Sequence, residues 1–355
     1  MRPRTRYLLL LLIVVIVAAL ALAFFLRKNT PPEVARLLPE SDAIVYINLK
    51  PIRSATQFDR EWSKKPVTHS AEYQQFLDAT GIVFERDLDA VAFALHKMDD
   101  PNGPNGPVGY SEVFQGRFDG VKLGKYLASL ATAQESYAGH QIFTIPVASE
   151  TVTTAAGAKV EAVRLLRVTQ LGGDEVAASN MPTAEQIHLI LDRYRGGASA
   201  ATGSSLLVAR YGDVPVLSGV WAIGHIGLPF AESGKISAMG FQLPLAEDTT
   251  YVASLRFTTS LRLRVDEVAA TEADAAQSAE ALSSLLQLFR SMQSLQSQIR
   301  PGGKPAPAQN KFINDFLDSA KIVADKNRAV LTATVPIDLL KQLTAASNDN
   351  AAETH

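Results

Sequence analysis

Apolar and polar positions follow three different periods along this chain, and each predicts a different element. From Tyr7 to Leu26 there is no alternation: YLLLLLIVVIVAALALAFFL is an unbroken apolar run, long enough at about 1.5 Å per residue to cross the ~30 Å hydrocarbon layer of a bilayer. Beyond it, β-branched and aromatic runs bounded by turn residues predict strands at Ala43–Leu49, Asp89–Met98, Tyr110–Phe118, Gly139–Val147, Val160–Leu171, Glu175–Ser179, Val216–His225, Lys235–Leu243 and Tyr251–Val265. Helical spacing predicts a brief Glu33–Leu38 helix, helical pieces in Pro51–Lys65, then Ala71–Thr80, Val121–Ala133, a helix after Thr183-Ala-Glu-Gln186, Ser205–Tyr211, and a long one from Thr271-x-x-Asp274 to about Gln298.

Ser70 and Asp119 stand where helix caps belong, and Gly81 where a helix stops. Gly103, Gly106 and Gly109 recur among prolines between two strands, which makes a long hairpin loop and not a phosphate-binding turn. The polar, small-residue stretch SETVTTAAGAK, Ser149–Lys159, is expected to be a loop. Near the end, Lys321–Asp325 and Ala329–Val335 form a hairpin about Lys326-Asn327, Pro336 opens a last helix, and 344–355 is a frayed tail.

Two segments carry most of the architectural information. In Tyr251–Val265, Tyr251, Ala253, Leu255, Phe257, Leu261, Leu263 and Val265 fall on one side and Ser254, Arg256, Thr258, Ser260, Arg262 and Arg264 on the other. One core side and one wet side belong to an antiparallel sheet. In the long helix Leu282, Leu286, Phe289 and Met292 continue an apolar ladder that starts at Ala275, while its polar side is mostly Gln and Ser with few charges. Such a helix packs on its own sheet, meets another chain or roofs a cavity. The fold class is therefore α+β, antiparallel sheets packed by amphipathic helices, preceded by one transmembrane helix. Strand, helix, strand, long strand and helix recur in Ala43–Ala133 and in Val216–Ile299, so the body divides into two weakly related halves. With the boundary at Gly196–Gly203 these are 29–197 and 204–343, after an anchor at 1–28.

Charge sharpens the topology. The formal net charge is −2, but all five residues Arg2, Arg4, Arg6, Arg27 and Lys28 flank the apolar run, leaving 29 bases against 36 acids in 29–355. Basic flanks place the N-terminus in the cytoplasm and the body outside it, with the inner membrane as location and the bilayer as partner through Tyr7–Leu26. Cleavage as a signal peptide at Ala19-Leu20-Ala21 or Ala21-Leu22-Ala23 is the competing expectation; the length of the run and its basic closure favour an anchor. An acidic body without basic clusters does not suit nucleic acid. There is no cysteine, hence neither lipidation nor disulfide.

Catalytic signatures are missing. The six histidines are scattered without metal-ligand spacing, and no GxSxG, SxxK, Walker loop or GxGxxG occurs. Neither catalytic residues, a metal nor a cofactor is expected. Asp87, Asp89, Asp99 and Asp100 leave metal-independent carboxylate chemistry as an alternative. Arg256, Arg262 and Arg264, sharing one side of a strand, are the candidate anion-binding residues, against the expectation of a solvated sheet face. Leu282, Leu286, Phe289 and Met292 are the candidate partner or cavity residues.

LLPESDAIVYINLKPI (37–52), FQGRFDGVKLGKYLASL (114–130) and VLTATVPIDLLKQL (330–343) resemble a type of membrane-anchored bacterial envelope protein known mainly from acidobacterial genomes. The resemblance implies location and fold; it carries no assigned activity and no catalytic residues. Together the readings point to a binding or scaffolding module of the envelope with a lipidic or anionic ligand or an envelope protein partner. An envelope hydrolase and an oligomeric assembly factor are the alternatives.

Overall fold

In the computed structural model, the described residues are 30–56, 70–225, 237–238, 241–242, 249–298 and 308–335, apart from 102, 104, 154–158, 199–202, 258 and 259. The expected anchor Tyr7–Leu26, the last helix after Pro336 and the tail lie outside them. Among the described residues no helix is long and apolar enough to cross a membrane.

Mixed helix and antiparallel sheet is the architecture. The strands are β1 (Ala43–Asn48), β2 (Leu88–Lys97), β3 (Val108–Gly116), β4 (Ala133–Tyr137), β5 (His140–Thr153), β6 (Lys159–Gln170), β7 (Glu175–Ser179), β8 (Val220–His225), β9 (Ser237–Ala238), β10 (Phe241–Gln242), β11 (Thr250–Phe257), β12 (Leu261–Val268), β13 (Lys321–Asp325) and β14 (Arg328–Val335). All but β9 and β10 join one sheet, in the order β13-β14-β12-β11-β8-β1-β2-β3-β7-β6-β5-β4. Near its middle lies the antiparallel pair β1–β8, Val45 opposite Ala222. Outward from that seam the order is mirrored, β1-β2-β3 on one side and β8-β11-β12 on the other. Gly224 makes the seam possible: a Cβ there would stand 2.5 Å from that of Ala43.

Helices α1 (Glu33–Leu37), α2 (Leu49–Thr56), α3 (Ala71–Thr80), α4 (Phe84–Asp87), α5 (Gly120–Leu130), α6 (Glu185–Arg195), α7 (Ser205–Arg210), α8 (Glu272–Gln298) and α9 (Ala308–Ser319) cover the sheet unevenly. On the face that carries Trp221, residues of α1, α6 and α7 (Val34, Leu37, Ile187, Ile190, Leu191, Leu207) close a core over Ile44, Ala92, Val113 and Ile223. Tyr46 and Trp221, cross-strand partners, stack there with ring centroids 5.4 Å apart. The reverse face, which carries Val45, is covered at its two ends. At one end Leu123 and Leu127 of α5 pack on Phe143, Ile145 and Val168. At the other, α8 lies along β13 and β14, with Ser278 donating to Glu267 at 3.0 Å.

Local signals account for most boundaries. The Ser70 hydroxyl accepts from the Tyr73 amide and Gly81 ends α3 in the left-handed region at φ 70°, and Asp119 caps α5 through the Lys122 amide. Thr271 and Asp274 bond reciprocally at the start of α8, an arrangement that satisfies an otherwise orphaned donor. Four expectations need correction. Tyr251–Val265 is not one strand but the hairpin β11–β12, with Phe257 opposite Leu261; no Gly, Pro, Asn or Asp marks the turn. The helix expected to run to Ala133 stops at Leu130 and Ala133 opens edge strand β4. Ser149–Thr153 and Lys159 are not loop but the ends of the long hairpin arms β5 and β6, where Thr and Val favour extended backbone. Thr183 does not cap α6, whose N-cap is Ala184 without a side-chain bond. Of Lys235–Leu243 the described part is the short hairpin β9–β10.

An apolar row across the sheet as the candidate site

Successive register partners on the Val45 face make one row across the sheet. From β5 to β13 it reads Phe143, Val168, Ala178, Glu112, Phe93, Val45, Ala222, Ala253, Val265, Leu331, Ile322. A neighbouring row adds Phe114, Val91, Ile47, Val220, Leu255 and Leu263. Helices cover both ends of these rows, while in the middle Val45, Ile47, Phe93, Val220, Ala222, Ala253 and Leu255 remain half-exposed. Scattered apolar exposure is ordinary, but contiguous exposure on one sheet face is what ligand or partner sites have. Phe93 and Phe114 meet edge to face, centroids 6.4 Å apart, and give the middle an aromatic wall.

Glu112 is the only charged residue of the first row. It lies between Phe93 on β2 and Ala178 on β7, and no ion pair or hydrogen bond reaches its carboxyl among the described residues. Burial pushes that carboxyl up to about 7, because the apolar surroundings disfavour its charged form. Sequence alternation identifies β3 as a two-faced strand, yet it cannot show that Glu112 joins an apolar row. Only the register does.

The candidate anion residues are placed differently from expectation. Arg256 and Arg262 face each other directly across β11–β12, and Arg264 is opposite Ser254. All three belong to the Trp221 face, since Ser254 in turn pairs with Trp221. That face, expected to be wet along this strand, buries Thr250, Val252, Ser254 and Asp266, whereas the expected core side, Tyr251 to Phe257, is half-exposed. The 3-10 turn Tyr211–Asp213 that follows α7 covers this face, Tyr211 meeting Trp221 edge to face and Asp213 pairing with Arg328, and this reverses the assignment. Arg264 is occupied: its Nε and Nη2 donate to Asp266 at 2.7 and 3.1 Å, and Asp266 also meets Arg328, whose other nitrogen lies 2.6 Å from Asp213. Arg256 and Arg262 have no acidic partner among the described residues.

Of the candidate helix residues, Leu282, Leu286 and Phe289 are half-exposed and Met292 is 47% exposed. The deeply buried positions of α8 are Ala275 and Ala279, in its first turns. Arg290 fastens the later part by donating to the Leu317 and Ala320 carbonyls.

Among the described residues the groups suited to hydrolysis are held by ion pairs or buried in the sheet. Asp87 is bound by Arg86 and Arg117, and Asp89 by Lys50 and Arg53. Burial alone would raise both carboxyls, but the bonds from their cations hold them below the usual range. His96 and Ser111 do meet, at 3.2 Å, and Ser111 continues to Ser179 at 3.0 Å. This chain is sealed inside the sheet, with Ser111 fully buried, and burial holds the His96 imidazole below its ordinary value. A nucleophile must reach its substrate; this hydroxyl reaches only neighbouring strands. Among the described residues no group of three or more histidines and carboxylates is placed to hold a metal.

The fold is thus an open, helix-flanked antiparallel sheet with an apolar central face. No protein-family model matches the chain, and no curated protein does. Solved structures give distant likenesses: crystal form III of TP0453 matches at 11% identity and a TM-score of 0.41, covering 89% of this chain and 99% of that one. Crystal form IV of TP0453 gives 12% identity, a TM-score of 0.37 and coverages of 89% and 96%.

Proposed function

We propose that this chain is a single-pass binding module of the bacterial cell envelope, anchored by Tyr7–Leu26 with its acidic body outside the cytoplasm, and that it holds a lipidic ligand against the Val45 face. The observation that carries the reading is the contiguous, half-exposed apolar middle of that face between α5 and α8. Burying such surface is favourable at about 25 cal/mol per Å², and an acyl chain fits a shallow apolar trough without demanding hydrogen bonds. The reading also takes the mirrored strand order about the β1–β8 seam as an internal duplication, two halves placing their long helices on the same face. Native mass spectrometry of the intact chain, after delipidation of its detergent belt, is expected to retain a lipid-sized mass. A chain that carries none and takes up none from added lipid would overturn the reading. The topology has its own test, because the chain lacks cysteine: a Ser129→Cys variant, on the exposed side of α5, should react with a membrane-impermeant maleimide in intact spheroplasts.

Arg256 and Arg262 favour a second, separate reading, an anion held between them. Two cations placed directly opposite repel, and a bridging anion would relieve this. Their row and the lipid trough are on opposite faces of the sheet, so one ligand does not engage both.

A further inference from the structure

We infer that the ligand of the Val45 face carries a cationic amine, recognised by the carboxylate of Glu112. The inference rests on the lipid-binding reading above and deepens it by naming the headgroup chemistry. Three observations support it. Glu112 is flanked across the sheet by Phe93 and Ala178 and along its strand by Tyr110 and Phe114, so its side chain shares the face of the apolar row. No cation meets its carboxyl among the described residues, in contrast to Asp87, Asp89, Asp213 and Asp266, each of which has an arginine. And it stands where the half-exposed middle of the row begins, next to Phe93, so that a headgroup bound to it leaves the acyl chain lying over Val45 and Ala222.

A charge in apolar surroundings is costly until it is paired. An ammonium group supplies the missing partner, whereas a carboxylate or phosphate alone would be repelled, and a neutral alcohol gains little. The other titratable groups on this face include Tyr110 on the same strand, Lys97 of β2, Arg164 of β6 and, towards α8, Tyr251 and Glu267; Tyr110 feels both Glu112 and Arg164 electrostatically, and among the described residues none of these groups bonds the Glu112 carboxyl. Burial holds Glu112 largely neutral below pH 7, so an amine ligand gains as the pH rises through that value. This is opposite to the behaviour of a fatty acid, which ionises into repulsion.

The test is photo-crosslinking of the intact, detergent-purified chain with two diazirine-bearing C12 probes, an alkylamine and the matching alcohol, at pH 6 and pH 8. Labelling is mapped to the peptides containing Phe93 and Phe114. The amine is expected to label these peptides about tenfold more at pH 8, the ratio in which a group titrating near 7 ionises between the two. Glu112→Gln should abolish that rise, and labelling by the alcohol should show no such rise between pH 6 and pH 8 in either protein. If the alcohol labels the face but the amine shows no rise that depends on Glu112, the headgroup inference is overturned and the lipid reading stands. If neither probe labels the face, both are overturned.

Discussion

Along β1, Ile44 and Tyr46 are buried while Val45 and Ile47, one residue away, are half-exposed; along β8, Trp221 and Ile223 are buried while Val220 and Ala222 are not. The same strands thus present two apolar faces, and the difference is made by what the intervening chain lays over them. On the Trp221 face α1, α6 and α7 interdigitate with the sheet until Leu37, Ile44, Ile190 and Ile223 have no exposed surface. Reverse-face helices stop at the outer strands. The comparison teaches that apolar character alone does not locate a core: equal chemistry on two faces is buried by helices on one and left half-exposed on the other.

Three substitutions would break or sharpen this comparison. Trp221→Ala, which empties the contact with Tyr46 and Tyr211, should cost about 3–5 kcal/mol of unfolding free energy in urea. Should its cost be no larger than that of a Val45-face truncation, the distinction between faces collapses. Glu112→Gln acts through pH. The folded carboxyl titrates near 7 against an ordinary value of 4.5, so the folded state resists ionisation. Wild-type stability is therefore full below about pH 4.5 and falls as the pH rises towards 7. Each pH unit of that window is worth roughly 1.4 kcal/mol, so the variant should gain up to about 3 kcal/mol relative to the wild type at pH 8 and nothing at pH 4. Thermal melts at the two pH values decide it, and equal gains at both would place Glu112 in water. Leu255→Ala, in the open row, should cost only about 1 kcal/mol while diminishing lipid retention; a penalty of the Trp221 size would mean that this face is core.

Much of the architecture was legible because local physics fixed it. The caps at Ser70, Asp119 and Thr271 and the stop at Gly81 each satisfy backbone groups within a turn of chain, so their residues announce them. The face assignment of β11 and β12 is instructive in a different way. Phe257 pairs with Leu261 and Arg256 with Arg262, so odd and even positions keep their sides in both strands and the alternation holds although the segment is two strands. Which side is core did not survive, because Ser254 and Asp266 are buried by helices more than forty residues away and are kept tolerable there by the Arg264–Asp266 pair. Arg264 stands out in the sequence by its charge, and its partner two residues along, Asp266, neutralises it. Glu112 is not legible in the sequence, since its meaning depends on partners at 93 and 178 and long-range register leaves no local signature.

The β1–β8 seam also sets a schedule. β1 takes its outer partner only after roughly 170 further residues have been made, and at about 5–20 residues per second that is a wait of roughly 10–30 s. Throughout it one edge of a hydrophobic strand is unpaired, a template for any passing chain. Long-range strand pairing is slow even once its partner exists. The close contact at Gly224 lies in the last strand needed to end that exposure, so bulk added there would extend the most aggregation-sensitive interval in the life of the protein.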